Sequence, residues 1–318
     1  LQSDGEKLSK RKKNYPDPSM LFETHGVDST RMFMYTSTAP QAQDVRFSEK
    51  HVEEIVKKFT LTLWNTYSFF VTYANIDGWT PKEKTADREH GAGNKLDEWI
   101  LSELHLLNDE VTHALEEYNL TAATRPMLDF VDNLSNWYVR RSRRRFWKSE
   151  SDEDKTQAYQ TLHAVLTTFS LLLAPFMPYT ADAIFKNLTG KTSVHLEDWP
   201  KPNQKLIKKS LHEEIHTVRT IVSLALKLRA KKNIKVRQPL RKVLIALPNK
   251  VPQKLVESYR DVILEELNVK ELQFETEGAM ATLTVNVDAR KIGPKFGGKT
   301  QEIIGLSKKG DFAVQTDG

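Results

Sequence analysis

The sequence contains no cysteine. That excludes disulfides and any thiolate metal site, and it suits a reducing, cytoplasmic compartment. There is no apolar run of the ~18 residues a membrane-crossing helix needs, and no apolar signal-peptide core at the start, so no membrane partner is expected. A Gly-rich Rossmann loop, a Ser/His/Asp arrangement, internal repeats and low-complexity stretches are all missing. The nine histidines form no ligand set: His212 and His216 stand four apart, but Glu213 and Glu214 between them read as a solvated face. No metal site is therefore expected. What is present is 318 residues, 39% hydrophobic and 28% charged, which describes a soluble globular chain of two or three domains. The net charge is only +5, but it is unevenly spread, and its distribution matters more than its sum.

The apolar periodicity is mostly helical. Ser19 to His25 reads as a short helix closed by Gly26, with Arg31, Met32, Phe33 and Tyr35 on the next one. From Ser48 to Ala74, Val52, Ile55, Val56, Phe59, Leu63, Tyr67, Phe70, Val71 and Ala74 recur at three- and four-residue steps. Asp77-Gly78 and Pro81 stop that helix, and 82–93 is a polar loop. Helical spacing resumes from Leu96 to Tyr118. A third helix runs from about Thr121 to Trp147, and a fourth carries Tyr159 to Leu173 until Pro175 and Pro178 break it. A short helix from Tyr179 to Leu188 ends at Gly190, and Ser193 to Pro200 leads out in extended form. Beyond a long helix, about Leu206 to Lys231, the period changes. Arg241–Leu247, Glu271–Phe274 and Ala281–Val287 read as strands, with a helix holding Leu255 to Leu267 between the first two and a last helix near Thr300–Ser307. The fold class is mainly α: an antiparallel helical bundle followed by a small α+β domain.

Two basic groups stand out. The third helix supplies Phe130, Val131, Leu134 and Tyr138 to a core and then carries Arg140, Arg141, Arg143, Arg144 and Arg145 between Trp137 and Trp147. On a straight α-helix Trp137, Arg141 and Arg144 project on one side. Arginine grips phosphate with two donors and stacks on bases, and a neighbouring aromatic offers a platform for an unstacked base, as in the reading of RNA loops. Trp137, Arg140, Arg141, Arg144 and Arg145 are the candidate RNA contacts. The plain alternative is that some of the arginines are ion pairs with acids such as Asp129, Asp132, Glu116 or Glu117, and that Trp137 is core. The second group is Lys227, Arg229, Lys231, Lys232, Lys235, Arg237, Arg241 and Lys242, with no acid among them. Cations in a helix's last turn favour its negative end by ~0.3–1 kcal/mol each. That accounts for two or three of them; the remainder, with Lys231, Lys232 and Arg237 as candidates, fit phosphate contact.

The chain opens with Gly5-Glu6-Lys7-Leu8-Ser9-Lys10-Arg11-Lys12-Lys13-Asn14-Tyr15-Pro16-Asp17-Pro18. The glycine and prolines forbid a long helix, leaving a loop dense in amide and ammonium donors that suits a polyphosphate; a solvated basic tail is the plain alternative. Lys7-Leu8-Ser9-Lys10-Arg11 resembles the KMSKS signature of class I aminoacyl-tRNA synthetases, with Leu for Met and Arg for the final Ser. The continuation to Pro18 resembles the eukaryote-like isoleucyl-tRNA synthetases. Further resemblances occur in the family's order at Leu96–Ser102, Leu128–Trp147, Leu173–Tyr179 and Gln238–Arg241.

The resemblance implies that Lys10 is the main ATP contact of a mobile loop, that Lys7 supports it, and that Ser9 lies in the same ATP-binding stretch. The two ammonium groups would meet the charge developing on the ATP phosphates as pyrophosphate leaves. It implies isoleucine, ATP with Mg²⁺, and tRNA(Ile) as substrates, and neither DNA nor zinc. It divides the chain into residues 1–47, the end of a catalytic domain with the lysine loop and a stem-contact region; 48–200, the anticodon-binding bundle; and 201–318, a long helix and a small tRNA-contacting domain. The sequence starts without Met and in mid-motif, so a C-terminal piece of a longer, monomeric protein is expected. It lacks the HIGH signature and is not expected to aminoacylate alone. Two other readings stand beside this one: the same part of a valyl- or leucyl-tRNA synthetase, and a non-catalytic RNA-binding module in which the lysine loop is idle.

Overall fold

In a computed structural model of the chain, the residues described are 7, 9, 11, 17–81, 94–147, 152–248, 250–275, 292–293 and 296–309. The chain divides into two compact units, residues 1–213 and 214–318.

The first unit opens with α1 (Pro18–His25), started by the Asp17 carboxylate accepting from Ser19 N at 2.9 Å and ended by Gly26 at φ 81°. Then α2 (Val27–Thr36) is tied to the bundle at two points. Its Arg31 donates from Nε to the Phe176 carbonyl (3.1 Å) and from Nη2 to the Pro175 carbonyl (3.0 Å), while its Asp28 Oδ2 accepts from Thr180 N at 2.6 Å. A cation thus meets the carbonyl end of one helix and an acid the amide end of the next, the favourable sense at both termini.

The bundle consists of α3 (Glu49–Ile55), continuing through a π-helical stretch, Val56–Thr60, into α4 (Leu61–Ile76); α5 (Lys95–Glu116); α6 (Leu120–Asp132), continuing through a second π-helical stretch, Asn133–Val139, into α7 (Arg140–Trp147); α8 (Asp152–Leu173); and α9 (Pro178–Thr189). The apolar stripes meet in one core: Phe59, Leu63 and Phe70, with Trp99, Ile100 and Leu104, with Met127, Phe130 and Leu134, and with Leu162 and Phe169, are all buried. Tyr118 departs from the expected pattern. It sits at φ 56° just past α5 and is 91% exposed, because it takes the left-handed turn that ends the helix. Gly190 plays the same part after α9, at φ 70°.

The stretch after α9 does not simply lead away. It runs back along α5, where Trp199 Nε1 donates to Thr112 Oγ1 (2.9 Å), Gln204 Nε2 to Asp109 (3.1 Å), and Lys208 N to Ser102 Oγ (2.8 Å). His212 Nδ1 lies 2.5 Å from Glu103, which places His212 in an acid–base contact within this seam.

The boundary between the units falls within α10 (Lys209–Lys231). In the second unit β1 (Leu240–Ala246) and β2 (Val269–Glu275) pair in parallel, Leu240 opposite Val269 and Ile245 opposite Phe274. Parallel neighbours need a crossover, and α11 (Gln253–Ser258) with α12 (Arg260–Leu267) supplies it. Ile245, Val256, Tyr259, Ile263, Leu267 and Leu272 are its buried core. The expected strand at Ala281–Val287 lies outside the described residues. The last element is α13 (Thr300–Lys309). Among the described residues no helix is long and apolar enough to cross a membrane.

Candidate nucleic-acid interface

The arginines of α7 divide into two kinds. Arg145 points inward and is buried. Its Nη1 donates to Asp97 Oδ1 at 2.7 Å and its Nη2 to Asp97 Oδ2 at 2.8 Å, while its Nε donates to Asp154 Oδ1 at 2.9 Å. Tyr138 also donates to Asp97 Oδ1, at 2.7 Å. Burial alone would weaken the charge on Arg145, but the bonds to Asp97 and Asp154 outweigh it and hold the proton more firmly than usual. Burial, reinforced by the Asp97 charge, pushes the Tyr138 phenol well up. The expected RNA contact at Arg145 is therefore replaced by a structural network linking α5, α7 and α8. Its acids are not those suggested by proximity in sequence.

Trp137 is also turned inward, at 4% exposure, with the half-buried Arg141 guanidinium 5.6 Å from its ring centroid. The expected shared side for Trp137, Arg141 and Arg144 assumed a straight α-helix. The π-helical stretch Asn133–Val139 adds a residue to the turn and rotates the remainder of the helix by roughly 100°. Trp137, three residues after the buried Leu134, faces the core, while Arg144 is exposed. Arg140 is exposed too, its Nε anchored on the Asn136 carbonyl at 2.9 Å. Arg143 is exposed with its guanidinium 5.8 Å from the Phe69 ring, and Trp147 is 53% exposed beside Tyr73. Sequence reasoning did not select Phe69, Tyr73 or Trp147. The available signal was that Phe69 and Tyr73 fall off the apolar stripe of their helix.

In the second unit Lys231, Lys232 and Arg237 are exposed, around the end of α10 and the turn beyond it. Arg229 is buried. It donates to the carbonyls of Lys235, Gln238, Leu267 and Asn268 and so ties the end of α10 to the end of α12. Arg241 pairs at long range with Glu271, 3.8 Å, and Lys242 donates to Gln273 at 3.1 Å. In the N-terminal loop Lys7 is exposed and Ser9 half-buried; Lys10 lies outside the described residues. No group of three or more metal-ligating side chains is assembled among the described residues.

Set against known proteins, residues 97–244 match the family model of the anticodon-binding domain of tRNA ligase, and residues 1–48 match that of class I tRNA synthetases (I, L, M and V). The isoleucine–tRNA ligase of Treponema denticola is 39% identical over 310 residues, 93% of this chain and 28% of that protein. That of Dehalococcoides mccartyi is 46% identical over 286 residues, 88% and 28%. That of Bacteroides thetaiotaomicron is 40% identical over 339 residues, 100% and 29%. A solved LeuRS of Agrobacterium radiobacter, in a ternary complex with tRNA and LeuAMS, shares the fold at a TM-score of 0.50 and 13% identity, over 88% of this chain and 32% of that one. The chain belongs to the class I aminoacyl-tRNA synthetases. The three curated relatives named above match 88–100% of the chain and are isoleucine–tRNA ligases, of whose length it spans 28–29%.

Proposed function

We propose that the chain is the tRNA-handling, C-terminal part of an isoleucine–tRNA ligase. In the whole protein, the isoleucine carboxylate attacks the α-phosphorus of ATP, pyrophosphate leaves, and isoleucyl-adenylate forms. A hydroxyl of the terminal adenosine of tRNA(Ile) then attacks the acyl carbonyl and AMP leaves. ATP brings its Mg²⁺ with it. Lys10 and Lys7 meet the charge on the departing pyrophosphate, with Ser9 in the same loop. Residues 1–47 are the end of the catalytic domain, 48–200 bind the anticodon arm, and 201–318 add further tRNA contacts. The whole protein acts as a cytoplasmic monomer.

For this chain itself, the chemistry is binding. Arg140, Arg141 and Arg144 on α7, and Lys231, Lys232 and Arg237 in the second unit, grip tRNA phosphates, while Arg145 and Trp137 hold α7 in place from within. The observation that carries this reading is the exposure of Arg140 and Arg144 on a helix bolted down by the buried Arg145, inside the stretch matched as an anticodon-binding domain. The isoleucine specificity rests on relatives at 39–46% identity, all of them isoleucine–tRNA ligases, rather than valyl or leucyl enzymes. The test is an anisotropy titration of labelled tRNA(Ile) with the chain. Arg140→Ala with Arg144→Ala should weaken binding roughly 10-fold or more without changing the circular dichroism. A double variant with unchanged affinity would mean that tRNA does not meet this face.

A further inference from the structure

We propose that the cleft between α6 and the end of α3, with the π-helical stretch that follows α3, binds a small organic cation: a protonated amine carried on an apolar body. It uses none of the arginines of α7 and does not rest on the tRNA reading. The cleft has a volume of about 620 Å³, within the ~300–1,000 Å³ range of small-molecule sites. Its floor is apolar. Phe33 of α2, Ile55 of α3 and Phe59 are buried there, with Leu128 of α6 half-buried beside them. Phe33 is held by two neighbours, the Phe47 ring edge-on at 5.8 Å and the His51 ring stacked at 6.0 Å and 24°. Both π-helical stretches line the cleft: Lys57, Lys58 and Phe59 come from the first and Asn136 from the second. Such stretches recur at functional sites, because the extra residue re-aims the side chains around it.

The charge on the two walls selects the ligand. Lys57 and Lys58 stand on one wall, but each already has an acid one turn back. Lys57 Nζ donates to Glu53 Oε1 at 2.5 Å and Lys58 Nζ to Glu54 Oε2 at 3.0 Å. A glutamate four residues before a lysine is the favourable order for such a pair. On the other wall Asp129, Asp132 and Asn136 follow one another at three- and four-residue steps, on one face of the helix. Asp132 accepts from Asn136 Nδ2 at 2.7 Å. Asp129 is exposed and makes no hydrogen bond or ion pair among the described residues. An anionic ligand would meet Asp129 and Asp132 across the floor. A neutral apolar one would strip water from Asp129 without offering it a donor. An ammonium on an apolar body answers both parts: the body covers Phe33, Ile55 and Phe59, and the N–H groups donate to Asp129.

The test uses the 318-residue chain, methyl-labelled at Ile and Leu, and three probes of one shape: phenethylamine, the neutral phenethyl alcohol and the anionic hydrocinnamate. In NMR titrations phenethylamine should shift the Ile55 and Leu128 methyl resonances saturably, while the Ile263 methyl in the second unit is unmoved. It should bind roughly 3- to 10-fold more tightly than the alcohol, the effect of one charge-assisted contact in a partly wet cleft. Hydrocinnamate should bind more weakly than either. Asp129→Asn, an exposed and nearly isosteric change, should abolish the preference for the amine and leave the affinity for the alcohol as it was. Equal affinity for amine and alcohol, a preference that survives Asp129→Asn, or shifts at Ile55 and Leu128 no larger than at Ile263 would each overturn the proposal. No RNA is involved, so the outcome is separate from that of the tRNA titration.

Discussion

The Arg145 guanidinium and the Asp97 carboxylate meet face to face inside the bundle, Nη1 to Oδ1 at 2.7 Å and Nη2 to Oδ2 at 2.8 Å. This two-armed pair fixes α7 against α5, and the third arm of Arg145 reaches Asp154 on α8. The outward arginines owe their positions to this inward one. Arg145→Ala would strip the buried Asp97 carboxylate of its cation while the Tyr138 hydroxyl still donates to it, and should cost about 3–5 kcal/mol of folding free energy, read from urea unfolding. Arg145→Lys should also destabilise, by less, because an ammonium cannot reproduce the planar fork. Wild-type stability in both variants would show that the pair contributes nothing net.

Arg31 binds the last carbonyls before α9, and Asp28 accepts from the α9 amide Thr180 N. These contacts hold α2, and α1 packed against it, on the bundle. Arg31→Ala is expected to cost about 1–2 kcal/mol. In hydrogen exchange, the amides of α1 and α2 should speed up while those of α5 and α8 keep their protection. Uniform acceleration across the bundle would assign Arg31 a global role instead.

Among the described carboxylates Asp182 is a clear contributor to acid sensitivity. Asp182 accepts from Ser193 Oγ at 2.7 Å and Val194 N at 2.9 Å, and it pairs with Lys186 at 3.1 Å. These bonds lower its carboxyl from 3.8 to about 2. The folded value lies below the unfolded one, so the stabilisation is complete above the unfolded pKa and is lost as pH falls through about 2. A carboxyl NMR titration should find Asp182 ionised at about pH 3, where an unperturbed Asp is mostly protonated. Asp182→Asn should flatten the acid limb of the melting curve. A midpoint near the ordinary Asp value would contradict this.

The lysine loop is testable only in the whole protein. Lys10→Ala there should slow isoleucyl-adenylate formation by roughly 10²–10³, the usual effect of removing one group that stabilises developing charge. The 318-residue chain alone should show no isoleucine-dependent pyrophosphate exchange. Exchange by the isolated chain, or unimpaired adenylate formation by the Lys10 variant, would each count against the assigned role.

The sequence periodicity locates the helices of the bundle well, because a helix buried on one side must repeat its apolar residues every three to four positions, and because Gly26 and Gly190 mark ends that need a positive φ. It does not reveal the π-helical stretch at Asn133–Val139, which carries no proline or glycine. Nor does it identify Asp97 as the partner of Arg145: 48 residues separate them, and no spacing rule reaches that far. Arg229 is hidden for another reason. Its partners are backbone carbonyls, which every residue has and no sequence displays as a signal.

The salt dependence of tRNA(Ile) binding separates the outward arginines from the inward one most directly. For the wild-type chain, log K should fall linearly with log salt concentration. Replacing Arg140, Arg143 and Arg144 by Ala should reduce that slope by about 0.7–0.9 for each phosphate that an arginine no longer neutralises. Arg145→Lys, studied where it is folded, should keep the wild-type slope. A triple variant with the wild-type slope and affinity, or an Arg145 variant that alone flattens the slope, would contradict the division of labour along α7.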